Sequence, residues 1–124
     1  MRGGVKVFFD GGCRGREGRL AIAVVAGGRT TIKVDLGCGT SADAEWLALI
    51  EAATIARTLP AAQVVLLGDS ADVVAKANGR LPCRDALPHL ERFRAAAGDR
   101  PMRVRRIKRS QNLAVIALDA MRER

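Results

Sequence analysis

Three acidic residues draw attention by where they fall. Asp10 closes the apolar run of "VKVFFDGG", Glu45 lies in "SADAEWLALI", and Asp69 closes "VVLLGDS". An acid after a hydrophobic run can be an ordinary turn residue, and an acid near a helix start is favoured by the helix dipole. Taken singly, each has that plain explanation. Taken together they have another. If the runs ending at Asp10 and Asp69 are neighbouring parallel strands, both carboxylates stand at one sheet edge, where open α/β sheets place ligands. Glu45, in the first turn of a helix, could point at the same spot. Clustered carboxylates repel and raise one another's pKa. A divalent cation relieves that conflict, and an all-oxygen donor set favours Mg²⁺ or Mn²⁺. Two such ions ~3.5–4 Å apart can activate a water and stabilise the leaving oxygen in phosphodiester cleavage.

The elements that must position these acids are legible from periodicity. Residues 4–10 read as a strand, followed by a glycine turn at Gly11 and Gly12. "RLAIAVVAGG" (19–28) and "RTTIKVDLG" (29–37) read as two more strands, joined at Gly27-Gly28, a hairpin signal. In the latter, Ile32, Val34 and Leu36 alternate with Thr31, Lys33 and Asp35. The period then changes. "TSADAEWLALIEAATIARTL" (40–59) reads as a helix with Leu47, Ile50, Ala53, Thr54 and Arg57 at three-and-four spacing. Ser41 or Asp43 is its expected N-cap, and Pro60 stops it. Residues 62–68 are a fourth strand and 70–79 a short helix. Residues 82–98 are another helix, split or kinked by Pro88. Residues 101–109 are a basic fifth strand and 110–124 a last helix. Strand hairpins followed by strand–helix–strand units predict an α/β fold with a five-stranded mixed sheet flanked by helices.

The bulk numbers set bounds. A chain of 124 residues is the length of a single domain. Hydrophobic residues at 48% suffice for a core, and aromatics at 3% mean that Val, Leu, Ile and Ala must build it. No apolar stretch is long enough to span a membrane, and the start of the chain lacks the pattern of a signal peptide. Cys13, Cys38 and Cys83 are widely spaced and odd in number, which suits reduced thiols in a cytoplasm. Cys13 and Cys38 are expected to be buried small residues, and Trp46 a core residue. The net charge of +8 suits a polyanionic partner, although an arginine-rich solvated surface accounts for it equally well.

The succession "FFDGGCRG", "GTSADAEWLALIEAATIA", "VVLLGDSADVVAKANG" and "RIKRSQN" before a final helix resembles type 1 ribonuclease H, over nearly the whole chain. "DSADVVAKANG" and "RSQN" resemble most the bacterial branch that lacks an extra basic helix. The resemblance implies a ribonuclease H-like fold whose first three strands are antiparallel. It implies a metal-dependent endonuclease that hydrolyses the RNA strand of RNA–DNA hybrids with Mg²⁺ or Mn²⁺, two ions in all. Asp10, Glu45 and Asp69 match the family's first three acids, with Ala44-Glu45-Trp46 and Asp69-Ser70 as their local motifs. Glu45 and nearby backbone would sense the RNA 2′-hydroxyl. Substrate contacts are expected from Gly11, Gly12, Cys13, Arg14, Arg16, Ser41, Ser70, Lys108, Arg109 and Asn112. Cytoplasmic location and a monomeric state are the matching expectations.

The last helix departs from the family. Its usual N-x-x-A-D-x-L-A supplies a fourth carboxylate, but Ile116 stands in that register here. A shift of three residues, close to one helical turn, makes Leu118-Asp119-Ala120-Met121 reproduce A-D-x-L and gives Asp119 the ligand role. The alternative is that Asp119 is a surface acid. The stretch before the Ala-Glu pair, Ser41-Ala42-Asp43, lacks the family's usual amide side chain. The single histidine, His89, falls on a different helix and is read as a surface or core residue. Two rival functions remain at this stage. One is a nucleic-acid-binding module with weakened or lost catalysis. The other is a nuclease of the same fold acting on branched or single-stranded DNA.

Overall fold

The computed structural model describes residues 4–60 and 63–122. Its strands are β1 (Gly4–Arg14), β2 (Arg19–Ala26), β3 (Arg29–Lys33), β4 (Gln63–Gly68) and β5 (Met102–Arg106). Its helices are α1 (Ser41–Arg57), α2 (Ala71–Ala77), α3 (Leu87–Ala97) and α4 (Leu113–Arg122), the last preceded by a single 3₁₀ turn, Arg109–Gln111. The sheet order is β3-β2-β1-β4-β5. β1, β2 and β3 pair antiparallel, whereas β4 joins β1, and β5 joins β4, in parallel.

The two faces of this sheet are packed differently. On one, Val7, Phe9, Ile22, Val24 and Leu66 meet Trp46, Leu49, Ala52, Ala53 and Ala56 of α1, with Leu90 and Phe93 of α3 behind. On the other, Ala21 and Ala23 of β2 take Ala114 and Leu118 of α4, with Phe8 alongside. The small alanines let α4 lie close over β1 and β2, so its far end reaches the strand that carries Asp10. Burial of this aliphatic surface, worth about 25 cal/mol per Å², is the main stabilising term.

Several expectations need correction. Residues 11–14 do not form a turn after a strand ending at Asp10. β1 runs on through both glycines, with Gly11 opposite Ile22 and Arg14 opposite Arg19. The parallel pairing with β4 stops earlier, at Phe8 opposite Leu67. Asp10 therefore stands where one neighbour has ended and the other continues, a notch in the sheet. β3 ends at Lys33, because Asp35 turns the chain with φ 56°, and Val34 is exposed. The N-cap of α1 is Thr40, one residue before Ser41. Asp43 completes its capping box, with Asp43 N donating to Thr40 Oγ1 at 3.1 Å and Thr40 N donating to Asp43 Oδ2 at 2.9 Å. The buried face of α1 runs through Ala44, Trp46, Leu49, Ala53 and Ala56, leaving Thr54 exposed. Pro88 does not kink a helix. It sits in the first turn of α3, where its missing N–H costs nothing. Cys38 is exposed and Cys13 half-buried, with all three cysteines free. Residue 62 of the fourth strand and residues 123–124 of the last helix lie outside the described residues.

Candidate metal and nucleic-acid site

Asp10, Glu45 and Asp69 each offer a carboxylate oxygen within 4.8 Å of the others. Three elements deliver them, and each delivery has a local cause. Asp10 is 3% exposed, fixed in β1 by antiparallel pairing with Ala23. Glu45 is anchored by the backbone: Gly11 N donates to Glu45 Oε1 at 2.8 Å. That approach requires glycine, since a Cβ at residue 11 would collide with the backbone of Ala44 and Glu45. Asp69 follows β4 directly, and Ser70 then caps α2 by accepting from Val73 N at 3.3 Å. Asp69 Oδ1 accepts from Asn112 Nδ2 at 2.9 Å, and its Oδ2 lies 3.5 Å from Arg109 Nη1.

The electrostatics are those of a site short of positive charge. The Asp10 carboxyl is pushed up from 3.8 to about 6, first by burial and then by the charge of Asp69; Arg109 opposes this weakly. Glu45 is pushed up from 4.5 to about 8, again first by burial and then by Asp10, against the stabilising Gly11 N–H bond. Glu45 thus resists ionising at neutral pH unless a cation arrives, and Asp10 ionises only above the usual carboxylate range. The all-oxygen donors suit a hard divalent ion and would be a poor match for a soft one.

The remaining expected site residues divide into two groups. Arg14, Arg16, Ser41, Lys108 and Arg109 are exposed, and Gly11, Gly12, Cys13 and Ser70 are half-buried. Cys13 Sγ lies 3.4 Å from Ser41 Oγ, so the β1 extension and the start of α1 form one rim. Asn112 is different. It is fully buried, its Nδ2 donates to Phe9 O at 3.0 Å as well as to Asp69, and its Oδ1 accepts from Ala114 N. Every polar atom of its side chain is engaged within the protein, so it ties β1, Asp69 and the start of α4 together and is not available to substrate. His89 is away from the acids: Nε2 lies 3.0 Å from Asp43 Oδ1 and the ring stacks on Trp46 at 6.2 Å, bracing α3 against α1.

Helix α4 gives neither of the two expected outcomes in full. Ile116 is 56% exposed. Asp119 is half-buried, and its charge raises Asp10, yet it stands outside the cluster of three. The cause is helical geometry: Ala114 and Leu118 take the sheet, and Val115, Asp119 and Arg122 share the neighbouring face at four- and three-residue spacing. Arg122 is a residue sequence reasoning missed. Its guanidinium packs over Gly12, and it lowers Asp10. Its only signal was that spacing from Val115.

No family model matches the sequence, and no curated protein is recognisably similar to it. Solved structures are. The chain is similar to the N-terminal RNase H domain of rv2228c from Mycobacterium tuberculosis, with 25% identity, 98% of each chain covered and a TM-score of 0.77. It is similar to RNase H1 from the halophilic archaeon Halobacterium salinarum, with 28% identity, 98% of this chain and 100% of that chain covered, and a TM-score of 0.77. In fold it also matches LC11-RNase H1, solved in complex with RNA/DNA hybrid, with a TM-score of 0.77 over 87% of this chain and 88% of that chain, at 22% identity.

Proposed function

We infer that this chain is a type 1 ribonuclease H: an endonuclease that hydrolyses the RNA strand of RNA–DNA hybrids. The observation that carries the inference is the meeting of Asp10, Glu45 and Asp69 within 4.8 Å on a fold shared with RNase H1 domains over nearly the whole chain. A module that only bound nucleic acid would have no use for three converging, mutually repelling carboxylates, one of them buried. Their cost would favour replacement by neutral residues.

Asp10, Glu45 and Asp69 hold Mg²⁺ or Mn²⁺, and two ions are proposed. When bound, such ions lower the pKa of a water and neutralise charge on the phosphate and the leaving 3′-oxygen. The chain's own residues prepare that chemistry. Asn112 and Arg109 orient Asp69. Gly11 N holds one oxygen of Glu45 and fixes the carboxylate beside the rim, where it can meet a 2′-hydroxyl. Arg14, Arg16, Lys108 and Arg109, all exposed on segments bordering the acids, bind backbone phosphates and set the register of the hybrid. Cys13 and Ser41, adjacent on the rim, contact the sugar edge, with Gly11 and Gly12 letting the strand approach. Asp119 acts from outside the cluster, adding negative charge that draws a cation towards Asp10. We propose that the protein works as a monomer in the cytoplasm.

The test is a gel of labelled RNA–DNA hybrid, duplex RNA, duplex DNA and a branched DNA junction, each with Mg²⁺ or Mn²⁺. RNA-strand products from the hybrid alone support the reading. Cleavage of the junction, or binding without cleavage, replaces it with one of its two rivals.

A further inference from the structure

Arg122 presents an unsolved charge problem. Its Nε and Nη2 are buried and have no hydrogen-bond partner among the described residues. A buried cation with idle donors is costly, because it has lost water and gained no acceptor. Asp119, one turn earlier on the same helix, would be the natural partner, but no ion pair forms between them. The guanidinium lies instead across Gly12, two residues beyond Asp10 on the same face of β1. Gly12 is the cradle: a Cβ there would overlap the guanidinium itself. The sequence thus has a glycine where the Arg122 guanidinium must pass, two residues from Asp10. In the same helix, Ile116 is exposed and cannot ligate a metal.

These observations fit one ligand chemistry. A planar guanidinium with free donors pairs best with a phosphate, which accepts in two directions at once. We propose that Arg122 contacts the phosphate being cleaved, supplying positive charge from helix α4 beside the strand that carries Asp10. The proposal rests on the hybrid-nuclease reading. It gives Arg122 a direct part in the reaction and Gly12 the role of seating it. The nearest competing idea is that Arg122 merely offsets the charge of Asp10 until metal arrives.

The experiment compares the wild type with Arg122→Gln and Arg122→Lys, after thermal melts show that all three fold. Hybrid affinity is read by fluorescence anisotropy in EDTA over a salt series, and cleavage is read separately with Mg²⁺. Loss of one charge-assisted contact predicts that Arg122→Gln weakens hybrid binding about 10- to 100-fold. It also flattens the log–log salt slope by about one unit. Arg122→Lys, which keeps the charge but not the fork, recovers part of the affinity and most of the slope. Unchanged affinity and slope in Arg122→Gln, or tighter metal binding by calorimetry as its only effect, would overturn the proposal. A wild type that neither binds nor cuts hybrid would instead sink the functional reading beneath it.

Discussion

The α1 and α4 sides of the site are built to different standards. At the start of α1 the capping residues and the metal-site acid are tied to partners. Thr40 and Asp43 close a capping box, His89 braces Asp43 while stacking on Trp46, and Glu45 is tied to the Gly11 N–H. The face of α4 turned away from the sheet has fewer ties. Ile116 is exposed, Asp119 is half-buried without a hydrogen bond among the described residues, and Arg122 has buried donors with no acceptor. The contrast teaches that backbone fixes the three acids, whereas α4 contributes only side chains projecting from one helix face. A strand position or a backbone hydrogen bond cannot drift without breaking the sheet. A side chain on an exposed helix face can.

The largest effect expected from breaking the fixed side is Asp10→Asn. Hybrid cleavage should fall to background, because one of three shared ligands is lost. The same change should raise the melting temperature in EDTA by a few degrees, since it removes a buried charge from a repelling cluster. A melting temperature lowered in EDTA would mean the acids are not in conflict.

Next come the ties. Asn112→Ala leaves the Phe9 carbonyl and Asp69 without their shared donor. About 1–3 kcal/mol of stability should go, as measured by urea unfolding. Cleavage should drop about 10- to 100-fold, the usual cost of removing a group that orients a ligand. Gly11→Ala forces the backbone of Ala44 and Glu45 away and should cost about 1–3 kcal/mol, with weaker metal binding by calorimetry. If Gly11→Ala binds metal normally, the tie to Glu45 is not what sets the site.

Stability against pH sharpens the same contrast. Asp10 and Glu45 have folded-state values raised to about 6 and about 8 from 3.8 and 4.5, so the folded chain holds more protons than the unfolded one. The stability this gives is complete below the unfolded values and is lost as pH rises through the folded ones. Metal-free protein should therefore lose stability between about pH 4 and pH 8, more than Asp10→Asn does. Mg²⁺ should close most of the gap by favouring the ionised carboxylates.

The smallest effects belong to α4's acid. Asp119→Asn should reduce cleavage by about tenfold or less, because its charge reaches Asp10 from outside the cluster. Ile116→Asp should tighten metal binding modestly. A loss with Asp119→Asn as complete as that of Asp10→Asn would make Asp119 a ligand after all.

The sequence disclosed the fixed side well and the variable side poorly. The order of strands and helices followed from apolar periodicity, and the acids stood out because two strand ends and one helix start placed three of them where they could converge. The extension of β1 through Gly11 and Gly12 was hidden, because glycine pairs signal turns unless a partner strand claims them, as β2 does here. Asn112 read as a substrate contact because its burial depends on a carbonyl 103 residues away in sequence. Arg122 was invisible for a similar reason: one arginine among 21 Lys and Arg says nothing until the helix is seated.

The most direct measurement of the central claim is anomalous diffraction from crystals soaked in Mn²⁺. The account predicts a strong peak among the carboxylates of Asp10, Glu45 and Asp69 that disappears in Asp10→Asn. An ordered wild-type site with no peak there, or a peak that survives Asp10→Asn unchanged, would contradict it.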